Sequence, residues 1–209
     1  MSRNDYQRNM DKEKGEQPKV KDILEEHYKR RGYEILEHEL VKDRARQIKG
    51  IDRILRIKHT ITQEELWIRV DDKAQSSTSL LDNSQKYNHV FIPYLRVYDD
   101  GRITEDWATS PRKVTDVVIM TTADNVAILW DCHKLKEAFK EDNHYYHLID
   151  TYGYNEATDE YYTMPNEVEA NEEHNGYKYT AYLIYPTLKD ILSDPVLKDT
   201  IISIYQLSM

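Results

Sequence analysis

Two aspartates, a lysine and a glutamine fall in one stretch, Gly50 to Gln75, at spacings that can do chemistry; it reads GIDRILRIKHTITQEELWIRVDDKAQ. Asp71, Lys73 and Gln75 are two apart, so on an extended chain their side chains share a face. Asp52 opens the preceding apolar segment and approaches Asp71 if the two segments pair. Two carboxylates that close repel each other unless something positive lies between them. A hard divalent cation, magnesium or manganese, takes oxygen ligands of this kind and keeps several waters. Such a cation turns a bound water into a nucleophile and stabilises charge building on a phosphate oxygen. A neighbouring lysine, Lys73, orients that water or neutralises the developing charge. The chemistry that suits this set is metal-assisted cleavage of a phosphodiester.

The elements that must position these residues are legible as periodicities. Ile51 to Lys58, with Ile51, Ile54, Leu55 and Ile57, and the alternation of Leu66, Ile68 and Val70 with Trp67, Arg69 and Asp71 predict two strands joined by a turn. Upstream, Val20, Ile23, Leu24, His27 and Arg31 recur at helical spacing, which predicts a helix from Val20 to about Arg31, ended by Gly32. Asp22, Glu26 and Lys29 lie on its other flank, and His27 reads as a core histidine. Tyr33 to Leu40 predicts a first strand with Ile35 buried. Lys42 to Lys49, KDRARQIK, is a basic connecting loop, suited either to a phosphate backbone or to an ordinary surface.

This order of residues resembles the PD-(D/E)XK nuclease superfamily, the restriction-endonuclease-like fold. The resemblance rests on a helix, a glycine and a strand, then Asp52 at the start of one strand and Asp71-Asp72-Lys73 on the next, with Gln75 two residues later. Ile51 stands where many members carry proline. A second part, WATSPRKVTDVVIMTTADNVAILWDCHKLKEAF, is similar to the later half of the same core. The resemblance implies an α/β domain with a mixed central sheet flanked by helices and with C-terminal additions. It implies that Asp52 and Asp71 bind Mg2+ or Mn2+, that Lys73 and Gln75 complete the catalytic set, and that a helix acid joins the metal. Glu26 is the candidate for that acid, with Asp22 and Glu25 as rivals. Asp72 is expected on the opposite side of the strand. The implied activity is DNA cleavage leaving a 5′-phosphate and a 3′-hydroxyl, by an endonuclease rather than an exonuclease, with a homodimer as the pairing that enzymes of this fold use to cut both strands.

Downstream, Pro93 marks His89 to Val97 as an edge or irregular strand. Asp99-Asp100-Gly101 signals a turn. Thr115–Met120 and Asn125–Trp130 are apolar runs suited to buried, hairpin-joined strands, and His133–Phe139 to a helix. Arg112 and Lys113 are candidates for meeting DNA, and Asp116 reads as structural. Tyr177–Tyr185 alternates as a strand, while Thr187–Leu192 and Pro195–Tyr205 read as closing helices.

Composition bounds the function. The 209 residues suit one main domain, expected over 19–209 behind a disordered arm over 1–18. No stretch approaches the ~20 apolar residues that cross a bilayer, and no signal peptide is legible, so no membrane partner and an intracellular, cytoplasmic protein are expected. The single Cys132 excludes an internal disulfide framework and a cysteine-ligated zinc site. The net charge is −9, yet residues 1–58 carry 16 Lys and Arg against 12 Asp and Glu. Basic charge therefore lies with the proposed catalytic end. Residues 141–176 hold ten acids and no Lys or Arg, which predicts an inserted acidic loop. The competing reading is a catalytically silent nucleic-acid- or protein-binding module on the same fold.

Overall fold

The computed structural model describes residues 19–75, 78–81, 88–98, 100–140, 153–155, 160–162, 167–174, 177–184 and 186–206. The arm expected over 1–18 and the remaining parts of the acidic segment lie outside them. The chain divides into two compact units, one of Ser2–Ser76, Pro111–His133 and Ile201–Met209, the other of Ser77–Ser110 and Lys134–Thr200.

The first unit is a six-stranded mixed sheet. Residues 19–30 form helix α1, followed by β1 (Tyr33–Leu40), α2 (Arg44–Ile48), β2 (Arg53–His59) and β3 (Glu65–Gln75). Later come β6 (Val117–Thr122), β7 (Val126–Asp131) and β12 (Ile201–Gln206), in sheet order β1-β2-β3-β6-β7-β12. All neighbours are antiparallel except β3 and β6, which run parallel with Val70 opposite Val117.

Helix α1 forms where the sequence predicts it, because Val20, Ile23, Leu24, His27 and Tyr28 make one buried stripe. Arg31, expected on that stripe, is exposed and donates to the Ile202 carbonyl at 3.3 Å. Gly32 ends the helix with a φ of +79°, a conformation that suits glycine. The stripe packs on Leu55 and Ile57 of β2, Val70 of β3, Val117 and Ile119 of β6, and Ala127 and Leu129 of β7. Since side chains alternate across a strand, Asp71, Lys73 and Gln75 take the sheet face opposite α1. Asp72 takes the α1 face with Val70.

Two elements of this unit differ from the sequence expectation. The basic loop over 42–49 contains the short helix α2, because Asp43 caps it, accepting from Ala45 N at 3.3 Å and Arg46 N at 3.2 Å. The closing helix expected over Pro195–Tyr205 stops at Thr200, and Ile201–Gln206 continues as β12 against β7. The run Ile201, Ile202, Ile204, Tyr205 favours a strand, and the open edge of β7 supplies its ladder.

The second unit holds β4 (Ile92–Tyr98), β5 (Ile103–Glu105), β10 (Glu167–His174) and β11 (Tyr177–Ile184), a four-stranded antiparallel sheet in the order β10-β11-β4-β5. Strand β4 is internal to this sheet. Pro93 is tolerated there because the pairing with β11 shifts register between Tyr182 and Leu183, beside it. Helix α3 (Cys132–Lys140) follows β7 across the boundary between the units. The acidic segment is no simple loop: it contributes β8 (Gly153–Asn155), β9 (Glu160–Tyr162) and β10. His174 pairs with Tyr177. Helices α4 (Leu188–Ser193), with Thr187 and Asp190 in a capping box, and α5 (Pro195–Thr200) complete this unit. Among the described residues no helix is long and apolar enough to cross a membrane.

Candidate functional site

Asp52 sits in the bend just before β2, its backbone N donating to the Val70 carbonyl at 2.8 Å. Its side-chain Oδ2 accepts from the Asp72 backbone N at 3.0 Å, so the start of β2 is tied to the end of β3. This brings the Asp52 carboxyl near enough to that of Asp71 for the two charges to act on each other. Asp71 is buried, at 2% exposure, and its Oδ1 accepts from Lys73 Nζ at 2.6 Å. Its other oxygen, Oδ2, is buried without a hydrogen-bond donor. Burial pushes the Asp71 carboxyl up to about 7; the Lys73 ammonium works against the shift and the Asp52 carboxyl adds to it.

The pair is closed on one side by a glycine. Gly50 has a φ of +75°, and a Cβ there would lie 2.7 Å from Thr115 Oγ1, 3.0 Å from Lys113 Cδ and 3.3 Å from Asp71 Oδ2. Only glycine therefore lets the chain pass this close to the carboxylate. Thr115 Oγ1 donates to the Gly50 carbonyl and Val114 N to the Lys49 carbonyl at 3.0 Å, which clasps the two segments together beside Asp71.

On the α1 face, Asp72 accepts from Arg53 Nε at 2.7 Å, and Arg53 Nη1 lies 3.3 Å from His38 Nε2. Arg53 is 3% exposed. Burial raises the Asp72 carboxyl to about 6 against the pull of Arg53. Asp116, expected to be structural, holds Arg69 in a two-pronged pair at 2.9 and 2.7 Å and also accepts from the Arg69 backbone N at 2.8 Å. Burial would raise its carboxyl, and the bonds from Arg69 and His133 overcome that and hold it below the usual range.

Of the residues the sequence singled out, the structure brings together Asp52, Asp71 and Lys73. Gln75 ends β3 on the same face as Asp71 and Lys73, half-buried. Glu26 stands apart. It is on the exposed flank of α1, paired with Arg30, and α1 covers the sheet face opposite Asp71. Asp22 and Glu25 lie with it, lining a shallow hollow with Lys29 and Arg30. His27 is buried and its Nδ1 lies 2.9 Å from the Tyr205 hydroxyl, as suits a core histidine.

Sequence reasoning missed Gly50, Thr115 and Arg53. Gly50 and Arg53 flank Ile51 and Asp52, so their nearness in sequence was a usable signal. Thr115 carried none, because its partner is 65 residues away.

The donor set can be weighed against a metal. Among the described residues no group of three His, Cys, Asp and Glu side chains gathers to hold one. Two carboxylates, one with an orphaned buried oxygen, match the sparse oxygen set that magnesium accepts when waters fill the other positions. No family model, no curated protein and no solved structure matches the chain.

Proposed function

We propose that the protein is a metal-dependent nuclease that hydrolyses phosphodiester bonds in DNA. The observation that carries this reading is the buried Asp71 carboxyl beside Asp52, with Oδ1 taken by Lys73 and Oδ2 left without a hydrogen-bond donor. Two carboxyls this near each other favour a proton or a cation between them. A raised carboxyl near 7 supplies the proton in the absence of metal, and a divalent cation would displace it. Further support comes from the order of elements: helix, glycine, strand, Asp52, then the strand carrying Asp71 and Lys73. This is the order in which the chain resembles the PD-(D/E)XK nucleases with a restriction-endonuclease-like core.

Asp52 and Asp71 Oδ2 would hold Mg2+ or Mn2+. When bound, such a cation lowers the pKa of a coordinated water and neutralises charge on a phosphate oxygen. Lys73 fixes the Asp71 carboxylate by its bond to Oδ1 and places a positive charge where a phosphate would gain negative charge. Gln75, on the same face, is suited to orient water or phosphate. In the reaction, water oxygen bonds to phosphorus as the bond to the 3′-oxygen breaks. One proton leaves the water and one reaches the 3′-oxygen, giving a 5′-phosphate and a 3′-hydroxyl. An endonuclease is favoured over an exonuclease, and a pair of copies would cut both strands.

A second reading, a silent binding module on the same fold, is favoured by one observation. Asp71 is so buried that water has little approach to it. Cleavage of plasmid and single-stranded DNA with magnesium, manganese or EDTA separates the two. Metal-dependent cleavage is expected, with Asp71→Asn and Lys73→Ala each slowing it ~100-fold or more. Wild-type rates in Asp71→Asn would refute the assignment, and DNA binding without turnover in the wild type would establish the silent module.

A further inference from the structure

Helix α2 has no buried residue, and its Ile48 is 65% exposed. Five residues cannot hold a helix by themselves in water. The segment is nonetheless tied down by the Asp43 cap, by Gln47 Nε2 donating to the Val41 carbonyl at 3.0 Å, and by Ile51 N donating to the Arg46 carbonyl at 3.1 Å. It is also tied from a distant part of the chain. Lys113 Nζ donates to the Ile48 carbonyl at 2.9 Å, and Val114 N to Lys49 O at 3.0 Å. Between the buried Val41 and Ile51 that anchor its ends, the segment brings no apolar surface of its own into the core to offset the entropy of its ordering. What the segment presents to solvent is therefore the feature to explain.

It presents positive charge. Lys42, Arg44, Arg46 and Lys49 stand against Asp43 alone in 42–49, and the clasping segment 111–114 adds Arg112 and Lys113 with no acid in its own sequence. Such a concentration is unusual in a chain whose net charge is −9. Arg46 is engaged with Glu39 at 3.4 Å, while Lys113 fastens the clasp. Arg44, Lys49 and Arg112 are exposed. The clasp meets the carboxylate pair at Gly50, where one Cβ would touch both Lys113 and Asp71 Oδ2.

We infer that α2 and the segment 111–114 form a basic platform that seats nucleic-acid phosphates flanking the one at Asp71 and Lys73. The inference rests on the nuclease reading for the direction in which the strand runs, and it names the ligand as the polyanionic backbone, read without regard to base sequence. Backbone contacts of this kind release counterions, so the logarithm of affinity falls with the logarithm of salt, by ~0.9 per phosphate on duplex DNA and ~0.7 on a single strand.

The test is binding of fluorescent duplex, single-stranded DNA and RNA oligonucleotides in EDTA across a salt series, using the full chain. Arg44→Gln/Lys49→Gln/Arg112→Gln is expected to flatten the salt slope by ~2–3 and to weaken binding equally for unrelated sequences. Arg44→Lys/Arg112→Lys is expected to keep the slope, with circular dichroism showing both variants folded. An unchanged slope in the glutamine variant, a loss confined to one base sequence, or no wild-type binding at low salt would overturn the platform. Because EDTA removes the chemistry, these outcomes stand apart from cleavage. Cleavage with an unchanged slope defeats the platform alone, and slope-dependent binding without cleavage under magnesium or manganese defeats the nuclease reading alone.

Discussion

At Asp71 burial and neighbouring charge pull in opposite directions, and burial prevails, leaving the carboxyl near 7. An ordinary aspartate titrates at ~3.9 in the unfolded chain. The folded state therefore holds an extra proton between about pH 4 and 7, and Asp71 weakens stability progressively as pH rises through that window. His27 acts with the opposite sign. Burial, aided by the Arg31 charge, lowers it to about 4, so stability falls as pH drops from ~6.5 toward that value. Asp71→Asn removes the first effect and leaves the second. In urea denaturation with EDTA, the stability of Asp71→Asn relative to wild type should climb between pH ~4 and ~7, by on the order of 2–4 kcal/mol. A difference independent of pH would show that the Asp71 carboxyl is not raised.

Strand β12 illustrates how an element is placed by what it joins. Ile202 and Tyr205 pack against the same cluster as α1, and the Tyr205 hydroxyl meets His27 Nδ1 at 2.9 Å. The strand also covers the edge of β7, with Ile201 opposite Trp130 and Gln206 opposite Val126. Truncation after Thr200 should expose that edge and leave His27 without its hydroxyl partner. An unpaired edge of a buried strand is an aggregation template. The expected result is a protein that is insoluble, or that melts well below the full chain, by light scattering and thermal denaturation. A truncated chain with unchanged melting would show that β12 adds nothing to the sheet.

At the scale of the whole molecule, metal binding becomes a statement about stability. A cation that binds only the folded state stabilises it by ~2.7 kcal/mol at a concentration 100 times its Kd. Magnesium or manganese should therefore raise the melting temperature of the wild type relative to EDTA, more at pH 8 than at pH 5.5, where a proton competes at Asp71. Asp71→Asn should abolish the rise. No rise in the wild type at millimolar metal would count against a metal centre formed by Asp52 and Asp71.

The sequence by itself determined the local order of the first half. Helical spacing from Val20, alternation through Leu66 to Val70, and the two-residue steps from Asp71 to Gln75 are one-dimensional signals with one structural solution each. They placed α1, β1, β2 and β3, and they put Asp71, Lys73 and Gln75 on one face with Asp72 on the other. Runs such as Val117–Met120 were legible as buried strands for the same reason. What depends on partners far along the chain was not legible. Ile201–Gln206 is a strand because β7, far earlier in the chain, offers an edge, and a short apolar run does not state which period it will follow. Pro93 marks its strand as edge or irregular, and the second alternative holds, since β4 is internal and its pairing with β11 shifts register beside Pro93; which alternative applies depends on β11. The burial of Asp71, its pairing with Lys73 and the distance of Glu26 from it were decided only by tertiary structure. Which face α1 covers is a property of packing, and an aspartate's ionisation follows from the solvent and charges that packing leaves around it.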